Sequence, residues 1–225
     1  MASLCLPWYF PKAASFQHPS LLAEMLLKHE KTSVPETIAA SESIRSASKM
    51  FGVNEELEFR PVKVALLTVS DTRTFENDAS GDILEDRIKG AGHDLTRRVL
   101  LRDEIAKIRQ QVEEWIEDPD VDIVITTGGT GLTGRDVTVE ALRPLFEKEI
   151  EGFSVIFHQV SFNSVGLSTL QSRACAGLAR GTFLFLLPGS RGAVTDAWDQ
   201  IICFEIDSRY RPCNLVEIMP RLSER

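Results

Sequence analysis

The sequence predicts an α/β fold, a three-layer α/β/α sandwich with a mostly parallel central sheet, over residues 61–225. Two observations support this fold class. Short apolar runs alternate with stretches of helical periodicity, as in βαβ units. The apolar runs are nearly continuous, as in strands that are buried on both faces. A polar loop follows most of these runs, which would place several loops at one edge of the sheet.

The first half of the predicted domain supplies two strands and two helices. The apolar run 62–69 predicts a strand, 80–91 a helix, and 95–101 a second strand. Asp103 is expected to cap a helix, because apolar residues recur at helical spacing over 105–116. The order of these elements is that of two consecutive strand-helix units.

The second half continues the same alternation. Residues 121–125 predict a third strand, which a glycine-rich loop follows. Helices are predicted over 137–148 and 153–164, a late strand over 182–187, and a closing helix over 193–203. This completes a sheet with helices on both faces.

Residues 1–60 differ from the remainder of the chain. They contain one glycine, four prolines and no strand-like run of β-branched residues. Short helices are expected from Ser20, with an apolar stripe, and from Pro35. The segment is therefore predicted to be a partly helical or disordered extension. Two roles stay open: packing across a subunit boundary through the apolar stripe, or a disordered tail.

Composition limits the class of function. A net charge of −8 argues against a nucleic-acid partner, because affinity for the phosphate backbone needs clustered Lys and Arg. No run approaches the roughly 20 apolar residues that cross a bilayer, so no membrane partner is expected. The four cysteines show no C-x-x-C spacing. Reduced thiols in a cytoplasmic protein are the simplest interpretation.

The most informative stretch is 123–136, which reads IVITTGGTGLTGRD. Its glycines allow positive φ and can turn backbone N–H groups towards one point, and its threonines add hydroxyl donors. Such a loop suits a phosphate, although it matches neither the Walker A nor the G-x-G-x-x-G pattern. A strand-to-helix turn without a ligand is the alternative. The candidate binding residues of this loop are Thr127, Gly128, Gly129, Thr130 and Gly131.

Other polar loops are expected at the same sheet edge, since ligands of open parallel sheets bind outside the carboxyl ends of the strands. Two helices predicted to start near Thr138 and Ala193 would aim positive dipole ends at a bound anion. The candidate binding residues in these other loops are Ser70, Asp71, Pro188, Gly189 and Ser190.

Two carboxylates, Asp103 and Asp136, are predicted at this edge. They would repel phosphate unless a metal ion lay between, and Mg²⁺ is the ion that bridges carboxylates and phosphate oxygens. Each residue also has a purely structural interpretation. Asp103 and Asp136 suit helix caps, Asp71 suits an Asx-turn, and Ser172-Arg173 suits a surface turn.

With these motifs the sequence resembles the MoaB/Mog family of molybdenum cofactor biosynthesis proteins, and also the G domains of gephyrin. The likeness covers about residues 62–215. Its motifs are Leu-Thr-Val-Ser-Asp at 67–71, Ser80-Gly81, Thr-Thr-Gly-Gly-Thr-Gly at 126–131, Gly-Arg-Asp-Val-Thr at 134–138, Leu-Gln-Ser-Arg-Ala at 170–174 and Leu-Pro-Gly-Ser at 187–190. Val139 departs from the pattern, since many members have proline there.

The resemblance implies a Mg²⁺-dependent molybdopterin adenylyltransferase that joins ATP and molybdopterin into adenylyl-molybdopterin and pyrophosphate. It implies that Asp103 and Asp136 are catalytic and hold the Mg²⁺. It further implies that Ser80-Gly81 and Ser172-Arg173 contact substrate, the latter pair on the molybdopterin side. Members assemble as homo-trimers or, in the MoaB branch, homo-hexamers. The alternative function is a non-catalytic molybdopterin-binding or scaffolding protein of the same pathway.

Overall fold

A computed structural model describes residues 52–222 and residue 224. The helices predicted from Ser20 and Pro35 lie outside the described residues, so the prediction for most of the extension stays a prediction. Within the described range no helix is long and apolar enough to cross a membrane.

The strands form one large sheet and one small ribbon. Their bounds are β1 (Gly52–Val53), β2 (Lys63–Val69), β3 (Asp94–Leu101), β4 (Ile123–Thr127), β5 (Lys148–Glu149), β6 (Cys175–Ala179), β7 (Thr182–Leu187) and β8 (Tyr210–Arg211). The large sheet has the order β3-β2-β4-β7-β6-β5. The pairs β2–β3, β2–β4 and β4–β7 are parallel, whereas β6 runs antiparallel to both of its neighbours. The prediction of a mostly parallel sheet is confirmed.

The helices lie on both faces of this sheet. They are α1 (Ala79–Gly90), α2 (Ile105–Ile116), α3 (Thr138–Leu142), α4 (Glu151–Val165), α5 (Arg191–Ala197), α6 (Cys203–Glu205) and α7 (Leu215–Ile218). A π-helical stretch, Trp198–Ile202, joins α5 to α6.

Two apolar cores separate the layers, because successive residues of each strand point to opposite faces. Leu66 and Ile125 pack with α1, α4 and α5 on one face. Leu67 and Val124 pack with α2 and α3 on the other. The three-layer sandwich predicted from the continuous apolar runs is confirmed.

The region 137–179 contains the main errors of the sequence prediction. The helix expected over 137–148 is wrong: α3 ends at Leu142, and a 3₁₀ turn, Arg143–Leu145, with Pro144 inside it leads to β5. Proline lacks the N–H that a longer helix would need. The strand β6 was missed, because its residues Cys-Ala-Gly-Leu-Ala are small and carry no β-branched signal.

Residues 52–60 pack against the C-terminal segment, although they were assigned to the extension. β1 pairs with β8, and Ser208 Oγ donates to Glu58 O at 3.0 Å. The guanidinium of Arg209 lies 5.0 Å from the centre of the Phe59 ring. These contacts join the described N-terminal residues to the α/β unit.

Candidate functional site

Four loops meet at the carboxyl edge of the sheet. Backbone hydrogen bonds join them directly: Ser70 N donates to Leu101 O at 2.8 Å, and Gly128 N donates to Leu187 O at 3.0 Å. The hydroxyl of Thr127 donates to Pro188 O at 3.1 Å. The ends of β2, β3, β4 and β7 therefore form one continuous rim, as the topology predicted.

The glycine loop takes its shape from close backbone contacts. Gly128 and Gly129 have φ values of 98° and 65°, as predicted. A Cβ atom at Gly128 would lie 2.1 Å from Val69 O, so only glycine allows β2 to approach here. Gly131 does not have positive φ, contrary to the prediction. Its small size is needed because a Cβ there would lie 2.8 Å from Asp136 Oδ2.

The carbonyl oxygens of this loop are occupied by protein donors. Thr138 donates from Oγ1 to Gly128 O and from N to Gly129 O, both at 2.9 Å. Arg173 donates from Nε to Thr130 O at 3.2 Å. Within the described part of the chain, the N–H groups of Gly129 and Thr130 have no acceptor. The loop thus presents donors, which is the polarity that an oxyanion requires.

Three carboxylates, those of Asp71, Asp103 and Asp136, surround the glycine loop. Asp136 accepts hydrogen bonds from Thr133 N at 2.9 Å and Thr133 Oγ1 at 2.6 Å. It therefore caps the Thr133 turn, and the N-cap residue of α3 is Val137. Asp103 is likewise no helix cap, because α2 has Glu104 at its N-cap. An Asp103 carboxylate oxygen would lie 2.8 Å from a Cβ atom at Gly129.

The charges of these carboxylates interact. Burial, and then the charges of Asp71 and Asp136, raise the pKa of Asp103. Burial alone would raise the pKa of Asp136, but hydrogen bonds from Thr133 and from the Gly131 backbone, together with the charge of Arg173, lower it overall. A hydrogen bond from Arg135 lowers the pKa of Asp71. One carboxylate oxygen of Asp71, Oδ1, is buried without a partner among the described residues.

This donor set fits a divalent cation. The described residues contain no cluster of three or more acidic, His or Cys side chains arranged to hold a metal ion. Mg²⁺ is usually bound by one or two carboxylates together with substrate phosphates, so a preformed protein cage is not required. The unpartnered oxygen of Asp71 and the mutual repulsion at Asp103 are the features that a cation would relieve.

Ser172 and Arg173 do not form a surface turn. Arg173 reaches back to the glycine loop, donating from Nη2 to Asp136 O at 3.0 Å and pairing with Glu140. Both residues line a cavity of about 580 Å³ between α3, α4 and β6. Sequence reasoning missed the other polar side chains that line this cavity, Glu140, Arg143, Glu149, Ser154, His158 and Cys175.

The remaining predicted residues have mixed positions. Ser80 and Gly81 are buried at the start of α1, below the rim. Ser190 is exposed and caps α5 by accepting from Ala193 N at 3.2 Å.

Arg135, which sequence reasoning did not single out, pairs with Asp71 across 64 residues of sequence, with Nε 2.8 Å from Oδ2. No local pattern indicates a pair so distant in sequence.

Fold and site together define an open, mostly parallel α/β domain whose rim carries backbone N–H donors bordered by carboxylates. Residues 65–208 match the family model described as "Probable molybdopterin binding domain". The chain belongs to this family of molybdenum cofactor biosynthesis proteins, and the predicted resemblance is confirmed.

Named relatives agree with this assignment. The chain is 48% identical over 157 residues to molybdenum cofactor biosynthesis protein B of Escherichia coli K12, covering 70% of this chain and 92% of the relative. A crystal structure of molybdenum cofactor biosynthesis protein B matches with a TM-score of 0.67 and 38% identity, covering 75% of this chain and 100% of the other. The crystal structure of a tungsten cofactor synthesizing protein, MoaB from Pyrococcus furiosus, matches with a TM-score of 0.58 and 33% identity. This match covers 63% of this chain and 91% of the other.

Proposed function

We propose that the chain is a molybdopterin adenylyltransferase, joining molybdopterin and ATP into adenylyl-molybdopterin and pyrophosphate. Membership of the molybdenum cofactor biosynthesis family supports the pathway. The observation that favours catalysis is the placement of Asp103 and Asp136, whose carboxylate oxygens would each lie 2.8 Å from a Cβ atom added at Gly129 and at Gly131, close to the N–H donors of the loop. A binding protein needs the donors, but carboxylates at a phosphate site suit phosphoryl transfer assisted by a cation.

The two substrates would occupy opposite sides of the glycine loop. Phosphate binds the N–H groups of Gly129 and Thr130 and the rim loops at Ser70 and Pro188-Gly189-Ser190. Molybdopterin lies towards Ser172 and Arg173, where the 580 Å³ cavity provides room for a ring system. Because Arg173 contacts both the cavity and Thr130 O, it fixes the distance between the two sides.

The reaction places most of the catalytic demand on positioning. An oxygen of the molybdopterin phosphate attacks the α-phosphorus of ATP, a new P–O bond forms, and the bond to pyrophosphate breaks. The attacking oxygen is already anionic, so no strong general base is needed. Bringing two polyanions together in line is the main barrier, and fixed N–H dipoles lower it.

Asp103 and Asp136 would hold the cation, with Asp71 nearby to orient it. Mg²⁺ bound there supplies the positive charge that neutralises the phosphates as they approach. Thr133 keeps the Asp136 carboxylate oriented through its two hydrogen bonds. Arg135 holds Asp71, so the acidic side chains keep their geometry before substrate arrives.

The test is adenylylation by the purified protein, with molybdopterin, ATP and MgCl₂ and with the product detected by mass spectrometry. Asp136→Asn keeps an acceptor for Thr133 but removes the charge, so turnover should fall by about 10²-fold while the circular dichroism spectrum is unchanged. The matched control is Asp120→Asn, an exposed residue paired with Lys63 near the opposite edge of the sheet. Full activity in Asp136→Asn would refute the catalytic assignment.

A non-catalytic molybdopterin-binding or scaffolding role is the second candidate. The donors of the glycine loop and the cavity beside Arg173 would serve binding equally well. Wild-type protein that binds molybdopterin but yields no adenylylated product would establish this role. The free thiols of Cys175, Cys203 and Cys213 suit the cytoplasmic location that we propose for either function.

We also propose that the chain self-associates through the outward face of α4 and the 3₁₀ turn Gly166–Gln171. Segment 152–171 contains no Asp, Glu, Lys or Arg, which lets copies of an acidic chain meet without charge repulsion. The apolar side chains on this face are between 49% and 72% exposed: Val155, Ile156, Phe162, Val165, Leu167 and Leu170.

The expected assembly is a homo-trimer or homo-hexamer, with a second copy covering this face. Phe162→Glu should lower the mass measured by light scattering, since a buried charge without a partner is unfavourable. Ile105→Glu, at a similarly exposed apolar residue on α2, is the control and should leave the mass unchanged. An unchanged mass in Phe162→Glu would contradict this interface.

A further inference from the structure

A fully buried carboxylate lies directly below the rim. The Asp78 side chain has no solvent-exposed area. Its oxygens accept from Thr68 Oγ1 at 2.6 Å, Gly81 N at 3.1 Å and Arg98 Nη2 at 3.1 Å. These donors come from β2, α1 and β3, so one carboxylate joins three elements. A buried charge is retained only where such partners satisfy it.

Arg73 connects this carboxylate to the rim. Its Nη1 lies 3.3 Å from Asp78 Oδ1 and also contacts Ser80 Oγ. Its Nη2 donates to Gly189 O at 2.8 Å, and Ser80 Oγ donates to the same oxygen at 3.1 Å. The guanidinium fork thus joins the loop after β2 to the loop after β7. Lysine could not make these contacts simultaneously, because all three of its N–H donors sit on one nitrogen, whereas the contacts use two separate nitrogens of the guanidinium.

The two loops that Arg73 joins both lie beside the glycine loop. Arg73 N donates to Ser70 Oγ at 3.2 Å, next to Asp71. Gly189 packs so closely that a Cβ atom on it would lie 3.2 Å from Gly128 Cα. A displacement of Gly189 would therefore also displace Gly128. Gly128 directly precedes Gly129 and Thr130, whose N–H groups are the donors of the proposed phosphate site.

We propose that Arg73, held by Asp78, is a positioning residue that keeps the Ser70-Asp71 loop, the Gly189 loop and the glycine loop in register for phosphate binding. This inference deepens the proposed adenylyltransferase function and rests on it. Arg73 acts through Gly189 and Ser70, and its guanidinium is committed to protein acceptors. By holding Arg73, the buried Asp78 carboxylate fixes the positions of the rim loops, in addition to joining α1 to the sheet.

The test compares Arg73→Lys with Arg87→Lys. Arg87 makes a two-point pair with Asp199 between helices, at 2.7 Å and 2.8 Å, and neither residue belongs to the rim. Both variants keep the positive charge of the side chain but lose the two-nitrogen donor geometry of the guanidinium. Arg73→Lys should lower kcat by about 10- to 100-fold, since displacement by about 1 Å has effects of this size. Arg87→Lys should retain wild-type kcat.

Hydrogen–deuterium exchange without substrates separates this inference from the proposed function. Exchange over 126–131 and 187–190 should be faster in Arg73→Lys and in the milder variant Ser80→Ala, and unchanged in Arg87→Lys. If wild-type protein lacks adenylylation, the proposed function fails, whereas the exchange data still test the positioning role. Unchanged exchange at both segments in Arg73→Lys, or wild-type kcat in that variant, would overturn the inference.

Discussion

Replacing Gly128 by alanine should destabilise the protein far more than the same change at Gly134. Gly128 has φ of 98°, a conformation that disfavours side chains, and an added Cβ would lie 2.1 Å from Val69 O. Gly134, in the same loop, has no atom within 4 Å of an added Cβ and no positive φ. The two substitutions add the same methyl group within one loop, so the difference between them reports the combined cost of positive φ and of the contact with Val69 O.

The magnitude follows from two contributions at Gly128. Positive φ costs a non-glycine residue about 1–2 kcal/mol. The clash requires the end of β2 to move by about 1 Å, and overpacking of this kind costs about 1–3 kcal/mol. The sum is about 2–5 kcal/mol. Gly134→Ala should lie between neutral and about 1 kcal/mol stabilising, because alanine restricts the unfolded chain.

The assay is urea denaturation of both variants at one fixed protein concentration, because any self-association makes stability depend on concentration. For a domain of this size a loss of about 2–5 kcal/mol corresponds to a fall in Tm of about 4–20 °C. Thermal unfolding of the same samples provides a second measurement. A difference between the two variants below about 2 kcal/mol, which positive φ alone would explain, would refute the proposed role of the β2 contact.

Three further predictions concern metal, core and pH. Removing divalent cations with EDTA should abolish turnover without changing Tm, because the described residues hold no preformed metal cluster; a large fall in Tm would contradict this. Leu66→Ala, at a fully buried residue, should lower the free energy of unfolding measured in urea by about 2–5 kcal/mol, while Leu132→Ala, at an exposed residue outside the proposed interface, should be near neutral. Burial lowers the pKa of His93, so stability should fall as pH drops below about 6.5, where the unfolded chain binds the extra proton. His93→Gln should flatten that dependence between pH 7.5 and 5.5, and an unchanged slope would contradict the assignment.

The fold was largely predictable because three of its strands have a clear sequence pattern. β2, β4 and β7 are nearly uninterrupted apolar runs buried on both faces, and the helices between them have clear periodicity. The meeting of the four loops was also predictable from topology, since the carboxyl ends of parallel strands share one edge. β6 escaped prediction because small residues pack well in a strand without carrying a strand propensity.

The contacts inside the site were less predictable, because they join residues distant in sequence. Gly128 was recognised as special, but the partner that requires a glycine, Val69 O, belongs to another strand. The pair of Arg135 and Asp71 depends equally on the folded arrangement. Local pattern identifies which residues are unusual, and tertiary packing decides what each one contacts.

The charge balance of the rim determines how an acidic chain could bind polyanions. Arg135 and Arg173 are each already paired, with Asp71 and with Glu140. Their positive charge is therefore largely neutralised within the protein, so we expect backbone N–H groups and a bound cation to supply much of the attraction for phosphate. If the proposed function holds, such a rim should bind phosphate more weakly without the cation. The carboxylates of Asp103 and Asp136 would thus make substrate binding conditional on Mg²⁺, which fits their position beside the N–H donors better than a helix-capping role does.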